Sequence, residues 1–341
     1  MDNKARRGFA LKILFVNKSG FDYCQDFLFS GLCKVLGGEA IIEAPWNKNY
    51  HIKRKPYPKN LGLQKKNFLK SIKNSLIGES KPDLVILSSC NMEALKVYRE
   101  LMGNLPDSVP RFFLDGGDWP ELGGDFDRLG GRDLFDEVCR KRPFDVIFKR
   151  EKLIGKDYPE NVYPFPMCFN LDLIPHGGDY EKKYDVAFWG VESHPVRSEA
   201  LGILENRFDC RSNGTEKNQQ MSKYKRKGQF YLEELKRTRL TLNFRGAGWD
   251  TLRYWEVPAL GAFMLSQKPD IEIENNFVDG EHLVFIKNDL SDLIEKCEYY
   301  LNRPDLLATI GERASKHLHK YHTDEIRAKY VLSKFDPSFD I

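Results

Sequence analysis

Short apolar runs alternate with segments of helical period, and this happens twice, on either side of a proline-rich break. Strands separated by helices build βαβ units and a mainly parallel sheet, so the alternation restricts the fold more than composition does. In the first half, Leu11–Asn17, Glu39–Ala44, Asp83–Ser89, Pro110–Asp118 and Asp145–Glu151 read as strands. Between them, 22–36 carries Phe27, Leu28, Leu32, Val35 and Leu36 at helical spacing. Residues 64–77 read as a basic helix, and Met92–Met102 and Arg132–Lys141 as two more. The stretch 155–183 holds Pro159, Pro164, Pro166, Pro175, Gly177 and Gly178, a linker composition.

The alternation then restarts. Tyr184–Gly190 is a strand, 194–205 a helix, Arg207–Arg211 a weak strand, 212–227 a loop and 229–238 a helix. Leu240–Phe244 is a strand, Arg245–Trp249 a glycine loop and Asp250–Leu260 a helix that Pro258 should end early. Ala262–Ser266 is the next strand, followed by helices around Leu290–Leu301 and from Pro304 to His319. The expected fold is α/β, with two Rossmann-like domains at 1–170 and 180–322. A last helix lies in 323–341, with Thr323 as its cap. Its apolar Ile326, Tyr330, Val331 and Phe335 need a surface, and the N-terminal domain is the expected one.

Charge excludes some functions. Lys and Arg number 53 against 50 Asp and Glu, a net +3, so the whole chain does not read as a nucleic-acid binder. One segment is strongly basic: nine lysines and arginines and no acid stand between Glu43 and Glu79, from Lys48 to Lys73. Such a field suits an anionic acceptor or peripheral contact with an anionic membrane; a solvated lysine-rich face is the plainer reading. The seven cysteines are odd in number and form no CxxC pair, which fits a reduced cytoplasmic protein. MDNKARRGFA lacks the apolar core of a secretory signal, and no run approaches a membrane span.

Leu240–Ser266 is the stretch most able to carry chemistry. Gly246 and Gly248 permit a tight turn and close approach of a ligand. Asp250 can cap the helix, whose free N–H groups suit a phosphate. Arg245 adds charge, and Arg253 and Glu256 share a helix face, one suited to a diphosphate and the other to a ribose diol. A simple turn with a surface Arg253–Glu256 pair fits the same residues. A second strand end, Gly190 with Ser193, His194 and Arg197, offers another anion-binding helix start, or a plain connection. In the first half, Asp115, Gly117 and Asp118 follow a strand. Either carboxylate, Asp118 first, suits a base for an acceptor hydroxyl, though Asp and Gly are also ordinary turn formers. Lys18, Ser19 and Gly20 form a further loop candidate on the acceptor side.

The order Leu242, Asn243, glycine loop, Arg253-x-x-Glu256 and Gly261 is followed by Pro269, Asp270 and Phe277-x-x-Gly280-Glu281-His282-Leu283-Val284-Phe285. The tail runs Ile310-Gly311-Glu312-Arg313-Ala314 to His322, Thr323 and Arg327. This chain of signals, from about Tyr184 to Val331, resembles the C-terminal domain of the CgeB-like (spore-maturation-protein-like) glycosyltransferases, in the glycosyltransferase family 1 type group. The resemblance implies a GT-B fold, two Rossmann-like domains facing a cleft, with the last helix crossing back. It implies nucleotide-sugar binding by Gly190, Ser193, His194, Arg197, Asn243, Arg245, Gly246, Gly248, Trp249, Asp250, Thr251, Arg253 and Glu256. No cofactor or metal is expected, and the acceptor would be a glycan, a lipid-linked group or a protein. An epimerase or hydrolase on the same fold, or a non-catalytic nucleotide-sugar binder, stays open.

Overall fold

The computed structural model describes residues 11–52, 56–64, 81–175, 180–208, 214–216 and 228–339. The chain divides into two compact units: Met1–Lys55, Lys59–Phe165 and Asp324–Ile341 in the first, Pro56–Pro58 and Pro166–Thr323 in the second. The division near the middle therefore falls inside the proline-rich stretch, at Phe165. A three-residue segment from the first half also belongs to the second unit.

The first unit holds strands β1 (Ile13–Val16), β2 (Ile41–Ala44), β3 (Leu84–Leu87), β4 (Arg111–Asp115), β5 (Val146–Lys149) and β6 (Val162–Pro164). Its helices are α1 (Tyr23–Leu36), α2 (Lys48–His51), α3 (Met92–Met102), α4 (Gly124–Arg128) and α5 (Arg132–Lys141). The strands form one parallel sheet in the order β2-β1-β3-β4-β5-β6. The order reverses between β1 and β3, where open α/β sheets leave a crevice beyond the strand ends. Strands β1, β3 and β4 are buried along their whole length, as expected of a sheet covered on both faces. Leu14, Val85, Leu87, Tyr98, Phe113, Phe126 and Phe135 belong to the core of this unit. Asp22 starts α1 by accepting a hydrogen bond from the Gln25 amide, 3.2 Å, and Asn91 does the same for α3.

The second unit holds β7 (Tyr184–Ala187), β8 (Trp189–Val191), β9 (Gly214–Glu216), β10 (Thr238–Asn243), β11 (Met264–Gln267) and β12 (Val284–Ile286). Its helices are α6 (Val196–Leu204), α7 (Gln229–Lys236), α8 (Leu252–Ala259), α9 (Leu293–Leu301) and α10 (Pro304–Tyr321). The main sheet is parallel in the order β12-β11-β10-β7, and β8 pairs with β9 separately. Its core gathers Val186, Phe188, Leu240, Leu242, Phe244, Leu265 and Val284 with Leu293, Cys297 and Ile310.

Helix α11 (Asp324–Ser333) returns to the first unit and packs along α1. Gly31 allows this approach: a Cβ there would lie 2.0 Å from the Asp324 carbonyl oxygen. Lys34 pairs with the buried Asp324 at 2.8 Å beside it.

Several local expectations are corrected. Gly38–Ala40 form a 3-10 turn, so the second strand starts at Ile41 rather than Glu39. Arg207 and Phe208 lie in a turn and bend, and the short strand comes later, at Gly214–Glu216. The helix expected over 229–238 stops at Lys236, because Thr238 opens β10. Val162–Pro164 is a strand within the supposed linker. Its proline is tolerated because β6 is an edge strand. The expected basic helix lies almost wholly outside the described residues. So do Lys53, Arg54, Lys55, Lys65, Lys66, Lys70 and Lys73 of the basic segment. No described helix is long and apolar enough to cross a membrane.

Candidate functional site

In the second unit the candidate residues meet at the carboxyl ends of β7, β10 and β11. The loop Phe244–Asp250 leaves β10 and is tied to the neighbouring strand end. The Arg245 amide donates to Gln267 Oε1 at 3.1 Å, and Asn243 Nδ2 donates to Ser266 Oγ at 3.0 Å. Thr251 Oγ1 donates back to Asn243 Oδ1 at 2.8 Å. Asn243 and Thr251 therefore hold the loop. Proximity favours glycine at 246: a Cβ there would stand 3.1 Å from both Ser193 Oγ and an Arg197 terminal nitrogen. The Gly246 amide donates to the Gly248 carbonyl at 2.9 Å, which closes the turn.

Two readings change. Asp250 does not cap α8. Its buried carboxylate accepts from the Trp255 indole N–H at 2.8 Å and from the Met167 amide at 2.6 Å. Thr251 holds the cap position with extended backbone, and among the described residues no side chain caps the helix. That leaves the first-turn N–H groups of α8 without a side-chain partner at the strand end. Arg197 is held by backbone. It is buried, and it donates to the Arg245, Phe244 and Val191 carbonyls, joining the β8 and β10 loops. The Arg253–Glu256 pair is not a surface ion pair, since both side chains are buried.

The remaining cations define the electrostatics. Arg245 is half-buried, and its guanidinium lies 4.2 Å from the Trp249 ring centroid, with Nε unpartnered among the described residues. The Arg253 guanidinium lies 4.4 Å over Phe188 and donates to the Trp189 carbonyl, and its Nε is likewise unpartnered. His194, half-exposed on the β8–α6 connection, is held below the usual imidazole range by partial burial and then by Arg245 and Arg197. His194 and Arg245 in mutual range, with Arg253 in the first turn of α8, form a place that favours an anion.

Glu256 lies one turn further along α8. Its carboxylate accepts from the Tyr57 hydroxyl and, at 3.0 Å, from the Tyr231 hydroxyl. Burial pushes this carboxyl above its ordinary range, while Arg253 and the two tyrosines pull against that shift. The tyrosines escaped sequence reasoning. Tyr231 sits on a helix with no motif around it, and Tyr57 is distant in sequence.

In the first unit the two candidate carboxylates after β4 separate sharply. Asp115 is fully buried, and its carboxylate is engaged by its neighbours. It pairs with the buried Lys149 at 3.0 Å and accepts from Cys90 Sγ and the Gly123 amide, both at 2.8 Å. Asp118 is exposed and paired with Arg150. Gly117 is closed in by Asp125, whose Oδ2 would lie 2.7 Å from a Cβ there. Burial and then Asp118 push the Asp125 carboxyl up, and sequence reasoning had not singled it out. Beyond β1, Ser19 Oγ donates to Glu93 at 2.6 Å and Lys18 pairs with Asp22 at 3.6 Å; Gly20 completes that loop. The structure places the Lys18–Gly20 and Gly117–Asp118 loops at the carboxyl ends of strands of one sheet.

Residues 184–333, which include the loop after β10 and helix α8, match the family model described as glycosyl transferase-like. No curated protein matches the chain in a sequence search. Solved structures match it across nearly its whole length. HepE from Anabaena, in complex with UDP and glucose, is 10% identical, with 95% of this chain and 99% of that one covered and a TM-score of 0.59. A glycosyltransferase from Rickettsia africae is 11% identical, with 97% and 99% covered and a TM-score of 0.59. An alpha-glucosyltransferase in complex with UDP-glucose and DNA containing an abasic site is 12% identical, with 95% and 99% covered and a TM-score of 0.56. At such identities the likeness is one of fold, and that fold is GT-B, two α/β domains with parallel sheets. Fold and matched domain together define an enzyme of the glycosyltransferase class.

Proposed function

We propose that this chain transfers a sugar from a nucleotide-sugar to an acceptor hydroxyl, as a member of the CgeB-like branch of the glycosyltransferases. The observation that carries the reading is the basic pair of Arg245 and His194, together with Arg253 in the first turn of α8 and the carboxylate of Glu256 one turn on. Such a site is suited to a nucleoside diphosphate: cations and helix amides for the phosphates, a carboxylate for the ribose hydroxyls. UDP is the nucleotide of first choice, because HepE and the alpha-glucosyltransferase are bound to it.

In the reaction the sugar C1–O bond to the diphosphate breaks and a C1–O bond to the acceptor forms. The departing diphosphate carries the developing negative charge, and Arg245, Arg253 and the α8 amides lower the barrier by holding it. The acceptor proton passes to a carboxylate, and Asp118 is the exposed one of the two after β4. These groups neutralise the diphosphate without a metal, and metal-independent transfer is part of the reading. The acceptor is a glycan, lipid-linked group or protein, approached in the cytoplasm and drawn in through the basic segment. The near-neutral whole-chain charge of +3 argues against nucleic acid in that role.

Calorimetric titration with a panel of nucleotide sugars, paired with a nucleoside-diphosphate release assay, tests this. UDP-sugar binding with acceptor-dependent UDP release is expected. Release without acceptor would make the chain a hydrolase or epimerase, and binding without release a carrier.

A further inference from the structure

The segment Pro56-Tyr57-Pro58 belongs by its contacts to the second unit, although the chain on both sides of it belongs to the first. It is closely packed. A Cβ on Gly228, just before α7, would stand 2.9 Å from Pro56 Cβ, and Gly228 has a positive φ of 61°. The Tyr57 ring lies 6.4 Å from Phe169. Its hydroxyl donates to one oxygen of Glu256, and Tyr231 donates to the other.

We infer that Tyr57 is a positioning residue for the nucleoside: it keeps the Glu256 carboxylate ionised and aimed so that this carboxylate can accept both hydroxyls of a ribose. The inference rests on the donor site proposed above. A carboxylate offers about four lone-pair sites, and among the described residues the two tyrosines occupy two. Two remain, the number a vicinal diol needs. A carboxyl buried this deeply tends to hold its proton, and a protonated one has lost part of its accepting capacity. The tyrosine donors and Arg253 oppose that tendency. Tyr231 also engages Arg253.

The test is calorimetric titration of the full chain and Tyr57→Phe with UDP and with 2′,3′-dideoxyuridine diphosphate from pH 5 to 8. Phenylalanine retains the ring contact with Phe169, and the melting temperature should stay close to that of the parent. Removing one donor to a charged group should weaken UDP binding about tenfold. The dideoxy compound, which cannot use the carboxylate, should bind parent and variant within about twofold. The acid limb of UDP binding should also move to higher pH in the variant, because Glu256 loses a group that favours its ionised form. Equal losses on both nucleotides, or no loss on UDP, would overturn the role of Tyr57 and leave the donor site standing. A parent that binds neither compound would overturn the donor site itself. Tyr231→Phe is the second variant; because Tyr231 also engages Arg253, it should weaken both compounds, UDP more than the dideoxy compound.

Discussion

Asp115 and Asp118 are three residues apart, yet their environments give them different work. Asp115 faces the buried Lys149 across adjacent strands, in register. Replacing it with Asn removes one charge and strands the other, which costs about 3–5 kcal/mol in buried pairs. Urea unfolding should show that loss, with little of it for Asp118→Asn. Asp118→Asn should instead lower kcat while donor affinity holds, and an unchanged kcat would remove Asp118 from the chemistry. His194 carries a pH signature. Its pKa is lowered, so near neutral pH the ring is largely unprotonated, and a diphosphate nearby would raise that pKa and draw a proton in. UDP affinity should rise as pH falls from about 8 to 6.5, with proton uptake measurable across buffers of different ionisation heat. His194→Gln should remove the uptake; an unchanged uptake would place the diphosphate elsewhere.

At the scale of elements, the contact between α1 and α11 depends on one missing side chain. Gly31→Ala places a methyl group against the Asp324 carbonyl, and backbone cannot swing aside as a side chain can. Overpacking of this kind costs about 1–3 kcal/mol and should appear as a lower melting temperature. An unchanged melting temperature would mean that α11 yields easily. The strands and long helices were legible because their apolar period is strong: Leu84–Leu87 and Met92–Met102 fall where the pattern places them. Short elements were not. β6 sits in a proline-rich stretch, and β8 is divided from β7 only at Phe188. The loop after β10 was legible as a glycine turn before a helix, but the roles within it were not. Whether a polar side chain meets a ligand or a neighbour depends on tertiary partners. Asp250 meets Trp255 and Met167, and Arg197 meets three carbonyls. Tyr57 could not have been foreseen, since 199 residues separate it from the carboxylate it serves.

For the whole molecule, a nearly balanced total of 53 basic and 50 acidic residues conceals the basic stretch from Lys48 to Lys73. If that stretch attracts an anionic acceptor, replacing Lys65, Lys66, Lys70 and Lys73 with Gln should raise the acceptor KM at low salt. The difference should shrink as the Debye length falls below about 10 Å. Donor affinity should not move. Equal acceptor kinetics across a salt series would make the stretch ordinary surface. The central claim is that the second unit holds a nucleoside diphosphate at the start of α8, and Arg245 tests it most directly because it is only half-buried and can be truncated with the fold intact. Calorimetric titration of UDP should give saturable binding to the parent, weakened about 10- to 100-fold in Arg245→Ala at an unchanged melting temperature. Equal UDP affinity in parent and variant would contradict the account.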